Sequence, residues 1–336
     1  MKSKSLLLID AYSQIFRSFY AIRLLTNSRG EPVNAAFVFT KLLLQLEKNH
    51  ASEYGAMLFD CGKVAFRLEL NPEYKANRPP MPDALKSQIP LIRRIAEAFG
   101  WELIQCEGYE ADDLIGGFAV KYQDMPVKIV SSDKDLSQLI NSHVSMLIPG
   151  GTSVGGFEHR GVDEVLKKFG VAPEDMVDYL ALLGDASDNI PGIPGVGPKS
   201  AVEIIKTFGS ADKWLNDPAC IDPEHKLGKK LLPHLDVVRR NRELIRLRTD
   251  LPETVDKDLP PVKKDPDWQL IAEICQDNQF KSILKELPSS PSVETSVESA
   301  EDFGELFAFA SESLKHEKKS AKVEKNEPEE IQGELF

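Results

Sequence analysis

Three short apolar runs, 6–9, 55–59 and 127–130, each stop at or within three residues of an aspartate, and longer amphipathic stretches lie between them. Runs without polar alternation suit strands buried on both faces, as in parallel sheets. Residues 102–105 read as a weaker fourth strand. Between the runs, 35–46, 88–99 and 112–122 have helical spacing. That alternation predicts an α/β fold, a parallel sheet with crossover helices.

The aspartates belong to a larger pattern. Nine carboxylates fall in five clusters over the first 190 residues: Asp10, Asp60, Glu110-Ala-Asp112-Asp113, Asp133-Lys-Asp135 and Asp185-Ala-Ser-Asp188. Most adjoin an apolar run, where an α/β sheet presents residues at its carboxyl edge. Like charges gathered there repel strongly unless cations neutralise them. All-oxygen ligands suit hard divalent ions, chiefly magnesium with manganese as a substitute. Two such ions about 4 Å apart are the usual machinery for in-line attack on a phosphodiester. Single clusters also have a plain reading: Glu110 through Asp113 and Asp133-Lys-Asp135 both fit helix caps. Five clusters at corresponding places point to a metal-dependent nuclease.

The charge balance does not oppose a nucleic-acid substrate. The chain carries −12, but 288–336 hold 12 acids and 5 bases, a net of −7, which leaves −5 for the rest. With nine carboxylates neutralised by ions, that remainder becomes +4, so the face meeting a phosphate backbone can be positive. The four cysteines and six histidines show no paired or metal-ligand spacing, which argues against zinc and for reduced thiols in the cytoplasm. No stretch approaches the roughly 20 apolar residues of a membrane span. The apolar run near the start is four residues long and ends in Asp10, which fits a buried strand better than a signal peptide.

Residues 71–82 contain four prolines and read as an exposed loop or arch. Beside it, Phe66-Arg67 and Tyr74-Lys75-Ala-Asn-Arg78 bring three bases near the Asp60 strand. Cations there would clamp a scissile phosphate, and Tyr74 would stack on a base; a solvated basic face is the alternative. From Val171 the pattern is mostly helical, through 231–247 to a closing helix over 267–287. Asp185 and Asp188 share a face if the helix before them continues. Downstream, Gly195-Val196-Gly197-Pro198-Lys199 makes a tight turn into a helix, whose free N–H groups suit a DNA phosphate. A plain helix–turn–helix packing unit is the alternative for the glycines alone. After Pro288, Ser, Glu and Lys dominate, which predicts a disordered tail. Gly-Glu-Leu-Phe occurs twice in it, at 304–307 and 333–336.

As an ordered set, Leu8-Ile-Asp10, Phe59-Asp60, Phe66-Arg67 with Tyr74-Lys75-Ala-Asn-Arg78, Gly108-Tyr-Glu-Ala-Asp-Asp113, Ser132-Asp-Lys-Asp135 and Gly184-Asp-Ala-Ser-Asp188 through Gly197-Pro-Lys199 resemble the 5′-nuclease family. That family comprises the 5′→3′ exonuclease domain of bacterial DNA polymerase I, bacteriophage 5′ nucleases and flap endonucleases. The resemblance covers about 5–287. It implies a Rossmann-like, PIN-like core over 1–170 with a helical arch at about 72–100. It also implies a helix–three-turn–helix DNA-binding region within 171–287, with a potassium ion near Val196. By the same resemblance Asp10, Asp60, Glu110, Asp112, Asp113 and Asp133 belong near one metal, and Asp135, Asp185 and Asp188 near the other. It further implies that Lys75 and Arg78 position and activate the phosphate, and Arg67, Tyr74, Gly195, Gly197 and Lys199 are the expected DNA contacts. Ser132 stands where glycine is usual, Phe37-Val38-Phe39 where an aromatic-Gly-Phe is common, and Cys61 where a small residue is frequent, yet no ligand is missing.

The implied activity is 5′→3′ exonuclease and 5′-flap endonuclease action on DNA with flaps, nicks or RNA primers, by a monomer free of the polymerase and working beside a separate one. The last five residues, Gln332-Gly-Glu-Leu335-Phe336, resemble the peptide by which bacterial replication proteins bind the sliding clamp. A flexible tail with two apolar anchors and a glutamine suits a preformed pocket. Phe303 through Phe307 lacks the glutamine. The competing readings are a factor that binds flaps without cutting and a PIN-type ribonuclease.

Overall fold

The computed structural model describes residues 2–62, 64–150 and 156–288. The expected clamp peptide, with Gln332, Leu335 and Phe336, and the Phe303–Phe307 segment lie outside the described residues. The first half runs β1 (Ser3–Asp10), α1 (Ala11–Ala21), α2 (Asn34–His50), β2 (Ser52–Leu58), α3 (Ala65–Leu70), α4 (Asp83–Lys86), α5 (Ile89–Ala98), β3 (Glu102–Ile104), α6 (Ala111–Lys121), β4 (Val127–Val130), β5 (Val144–Pro149), β6 (Phe157–Arg160) and α7 (Val162–Phe169).

The six strands form one sheet in the order β3-β2-β1-β4-β5-β6, parallel except for β6, which pairs antiparallel with β5. The strand order reverses at β1. That is the switch point at whose carboxyl edge doubly wound sheets place their ligands. The register puts Asp10 beside Leu58 and Ile9 beside Val130, so the loops after β1, β2 and β4 open at one edge. Alternation divides β1 between two cores: Leu6 and Leu8 face α6 and the helical half, Leu7 and Ile9 face α2 and α5. Strands β5 and β6 and helix α1 were absent from the expectation.

The helical half comprises α8 (Met176–Leu183), a two-stranded hairpin β7 (Gly184–Asp185) and β8 (Ile190–Pro191), α9 (Pro198–Phe208), α10 (Ala211–Asn216), α11 (Lys226–Leu231) and α12 (Leu235–Ile245). Two further helices, α13 (Trp268–Asp277) and α14 (Lys281–Glu286), replace the single closing helix expected; the chain turns between them at Gln279, whose φ is 61°. They do not stay with the helical half. Fully buried Ile274, Phe280 and Ile283 join the core of α2 and α5, with Phe280 edge-on to Phe37 and Trp268 edge-on to Phe99. Each such burial contributes roughly 1.5–3 kcal/mol.

The segment expected to form the arch divides in two. Residues 71–82 are turns and extended chain leading to the single turn of α4, whereas α5 packs Ile92, Ile95 and Ala96 into the core. Among the described residues no helix is long and apolar enough to cross a membrane.

Candidate active site

Asp10 ends β1 and caps α1. Its carboxylate accepts from the Ser13 N–H at 3.2 Å and from the Ser131 hydroxyl at 2.8 Å. Asp60 follows β2 and accepts from the Ala111 N–H at the start of α6, 2.8 Å away. Asp112 lies in that same first turn, where the helix dipole tolerates negative charge. Asp133, after β4, accepts from the Asp135 N–H at 2.9 Å, and its own N–H donates to Ser131 Oγ at 3.1 Å. These four carboxylates line one cavity of about 330 Å³, together with Lys75, Arg78, Tyr12, Phe16 and Met81.

Their electrostatics are those of a cluster short of positive charge. Burial, followed by the charges of Asp60 and Asp133, pushes the Asp10 carboxyl up to about 7. Burial and then Asp10, Asp133 and Asp60 hold Asp112 well above the usual range. Burial likewise raises Asp133, and burial with Asp133 raises Asp135. The donor set fits a hard divalent cation: buried oxygens that repel one another until a cation arrives. Among the described residues no three acidic, histidine or cysteine side chains already converge as an ion-holding group; the four carboxylates stand apart along the cavity wall.

Three further carboxylates are paired with cations. Lys75 lies 2.8 Å from Glu110, Arg78 2.5 Å from Asp188 and Lys134 2.9 Å from Asp185. Burial alone would raise Asp185, but Ser187 and Lys134 outweigh it and bring it below its ordinary value. The expected helical continuation after α8 does not occur. Gly184 takes φ 70°, and a Cβ there would come within 2.3 Å of the Gly192 nitrogen. The backbone therefore turns into the hairpin, and Asp185 and Asp188 sit at the ends of its turn, with Asp188 N–H donating to Asp185 O at 3.2 Å.

Three expected residues take other places. Asp113 is fully buried and receives both Arg67 NH groups, at 2.6 and 2.7 Å, along with the Arg248 N–H at 3.0 Å. It points away from its neighbour Asp112 because successive helical residues turn by about 100°, so it is a strut and not one of the cavity's ligands. Arg67 is 1% exposed and also donates to Leu244 O, which leaves it no surface for DNA. Tyr74 has its ring in the core and its hydroxyl 3.2 Å from Glu110 and 3.4 Å from Asp188, so it cannot stack on a base.

Gly195, Gly197 and Lys199 are exposed together at the start of α9, where Pro198 fills the first helical position. The potassium expected near Val196 meets a cation already present: Lys230 donates to Gly195 O at 2.7 Å. Sequence reasoning overlooked Ser131, whose hydroxyl joins Asp10 to Asp133, and Lys134, which neutralises Asp185. It also missed Tyr12, on the cavity wall and edge-on to Phe59. Tyr12 and Lys134 lie within two residues of a candidate ligand, a signal that was readable.

Residues 5–170 match the 5′-3′ exonuclease N-terminal resolvase-like domain, and 171–267 match the 5′-3′ exonuclease C-terminal SAM fold. A 5′-3′ exonuclease of Aquifex aeolicus is 37% identical over 286 residues, 84% of this chain and 95% of that protein. The thermostable DNA polymerase I of Thermus filiformis is also 37% identical over 286 residues, 84% of this chain, but there the match spans 33% of the relative. Among solved structures, a zinc-bound T5 5′-exonuclease superposes with TM-score 0.59 at 22% identity, covering 84% of this chain and 99% of that one. The catalytic core of Rad2 with DNA substrate superposes at 0.57 and 16% identity, covering 84% and 92%.

Proposed function

The chain belongs to the 5′-3′ exonuclease family, and from that premise we propose that it is a divalent-metal-dependent nuclease that trims 5′ ends and cuts 5′ flaps, RNA primers included, from duplex DNA in replication and repair. The observation that carries this reading is the cavity at the switch point, with Asp10, Asp60, Asp112 and Asp133 on its wall and Lys75 and Arg78 beside them. Asp10, Asp60, Asp112 and Asp133 would hold one cation; Asp135, Asp185 and Asp188, with Asp133 between the groups, would hold a second. Magnesium is the ion of choice and manganese its substitute. Bound there, a divalent cation supplies the charge that an in-line displacement at phosphorus needs.

The chain's own residues do the rest. Glu110 and Asp188 keep Lys75 and Arg78 charged at the cavity, where both cations can face a phosphate's developing negative charge. Tyr74 bridges Glu110 and Asp188 and fixes their orientation. Gly195, Gly197 and Lys199 offer N–H groups and a cation to the backbone of duplex DNA away from the cut.

Cleavage of a labelled 5′-flap duplex with magnesium, with EDTA and by an Asp185→Asn protein tests this. Metal-dependent cutting at the junction, reduced by roughly 10²-fold or more in the variant, is expected. Tight flap binding without cutting would leave a binding factor, and equal cutting of unstructured RNA would favour a PIN-type ribonuclease. The terminal Gln332, Leu335 and Phe336 would tether the enzyme to a sliding clamp and raise its concentration on DNA without touching the cut site. Deleting 332–336 should spare cleavage of bare DNA and abolish stimulation by the clamp; stimulation that persists would sink the tether.

A further inference from the structure

The loop that carries Lys75 and Arg78 follows α3 and is hydrogen-bonded across to the β7–β8 hairpin. Asn71, the residue ending α3, donates from Nδ2 to Asn189 O at 3.2 Å. Asn189 returns the contact, donating from Nδ2 to Glu73 O at 2.9 Å. Beyond these two bonds the Lys75 N–H donates to Asp188 O at 3.0 Å, and farther along Asn77 Nδ2 donates to Ala186 O at 2.6 Å. Lys75 and Asn189 both adopt the left-handed conformation, with φ of 57° and 58°. Asparagine tolerates that region far better than lysine. The Lys75 backbone is therefore held in a disfavoured state by what surrounds it, and the hydrogen bonds across the gap are what surround it.

We propose that Asn71 and Asn189 are positioning residues for the reaction: their reciprocal clasp makes the loop bearing Lys75 and Arg78 and the hairpin bearing Asp185 and Asp188 one mechanical body. The inference rests on the nuclease reading above. It assigns the two phosphate-facing cations to the helical half, although their sequence lies within the first half. The clasp bonds lie at the solvent edge, where water competes for each donor, so they add little to global stability. Their effect is on geometry, and a misplacement of about 1 Å near reacting groups costs rate steeply.

Three variants test this beside the parent and a Lys75→Ala reference: the single variants Asn71→Ala and Asn189→Gly, the latter removing the amide yet keeping a residue at ease with positive φ, and Asn189→Gly combined with Lys75→Ala. Amide hydrogen exchange comes first. Loss of protection at Lys75, without change in β1 or α6, is expected in both single variants, and unchanged protection overturns the clasp whether or not the protein cuts. Single-turnover flap cleavage follows, with binding measured separately in EDTA. Each single variant should lose about 10- to 100-fold in rate, with affinity within about twofold. In the Lys75→Ala background Asn189→Gly should cost little more, because the amide acts through Lys75. Independent, multiplying losses would show a general structural role and overturn the proposal. If the parent itself does not cut DNA, the nuclease reading fails and the catalytic role of the clasp fails with it, while exchange still decides whether the tie exists.

Discussion

An Asp10→Asn protein is expected to lose cleavage by roughly 10³-fold or more and, in EDTA, to melt at a higher temperature than the parent. The two effects have one cause. Asp10 is 6% exposed, and its carboxyl is raised from 3.8 to about 7 by burial and by the charges of Asp60 and Asp133. The folded chain thus holds this proton more tightly than the unfolded chain does. For such a group stability is greatest below about pH 4 and declines as pH rises through about 7. The loss above that window is on the order of a few kcal/mol at most, since each tenfold change in proton affinity is worth about 1.4 kcal/mol.

Asparagine cannot ionise, so the decline flattens and the variant gains stability at neutral and higher pH. It also removes a proposed ligand, so magnesium should raise the parent's melting temperature by mass action and the variant's much less. Thermal melts across pH with EDTA and with magnesium, run beside the flap assay, read all of this. Unchanged cleavage would remove Asp10 from the reaction. A lower melting temperature in EDTA would mean that the bonds from Ser13 and Ser131 outweigh the repulsion.

Arg67→Met is expected to act in the opposite sense, costing about 3–5 kcal/mol of stability, because one partner of a buried ion pair is left uncompensated. Burial alone would make the guanidinium easier to deprotonate, but the hydrogen bonds and charge of Asp113 outweigh it and hold Arg67 charged. Without Arg67, the fully buried Asp113 keeps only N–H donors, from Arg248 at 3.0 Å and Glu110 at 3.4 Å. Replacing both partners, as Arg67→Met with Asp113→Leu, should cost less than the single change, since two apolar side chains leave no orphaned charge. Chemical denaturation of the three proteins decides it. A single variant that melts normally but binds DNA weakly would restore Arg67 as a DNA contact.

Arg67 and Asp113 mark the limit of what the sequence could say. Strands β1, β2 and β4 were legible because both their faces are buried and their apolar runs end at aspartates. Strand β5, also apolar, ends at Pro149 with no carboxylate to mark it. Asp112 and Asp113 are equivalent on paper: both are acids in the first turn of α6. Only the arrival of Arg67, 46 residues away in sequence, separates a carboxylate on the cavity wall from an internal strut. Tyr74 beside Lys75 looked like a stacking platform until the hairpin closed over its hydroxyl. Gly184 was a readable stop for α8, but the hydrophobic pattern of 176–183 invited continuation. The three cationic partners of Glu110, Asp185 and Asp188 depend on loops meeting across the edge of the sheet, which no local pattern encodes.

The return of α13 and α14 to the first core has a consequence for how the chain is made. Domains generally fold from the amino terminus as they leave the ribosome. Here the side of the sheet covered by α2 and α5 keeps Phe37 and Phe99 without their partners Phe280 and Trp268 until the segment near residue 288 has been translated. The helical half, encoded in between, can complete its packing around Trp214 and Leu231 before then. The part of the protein begun first is therefore finished last, and for most of translation its apolar face must be kept from other nascent chains.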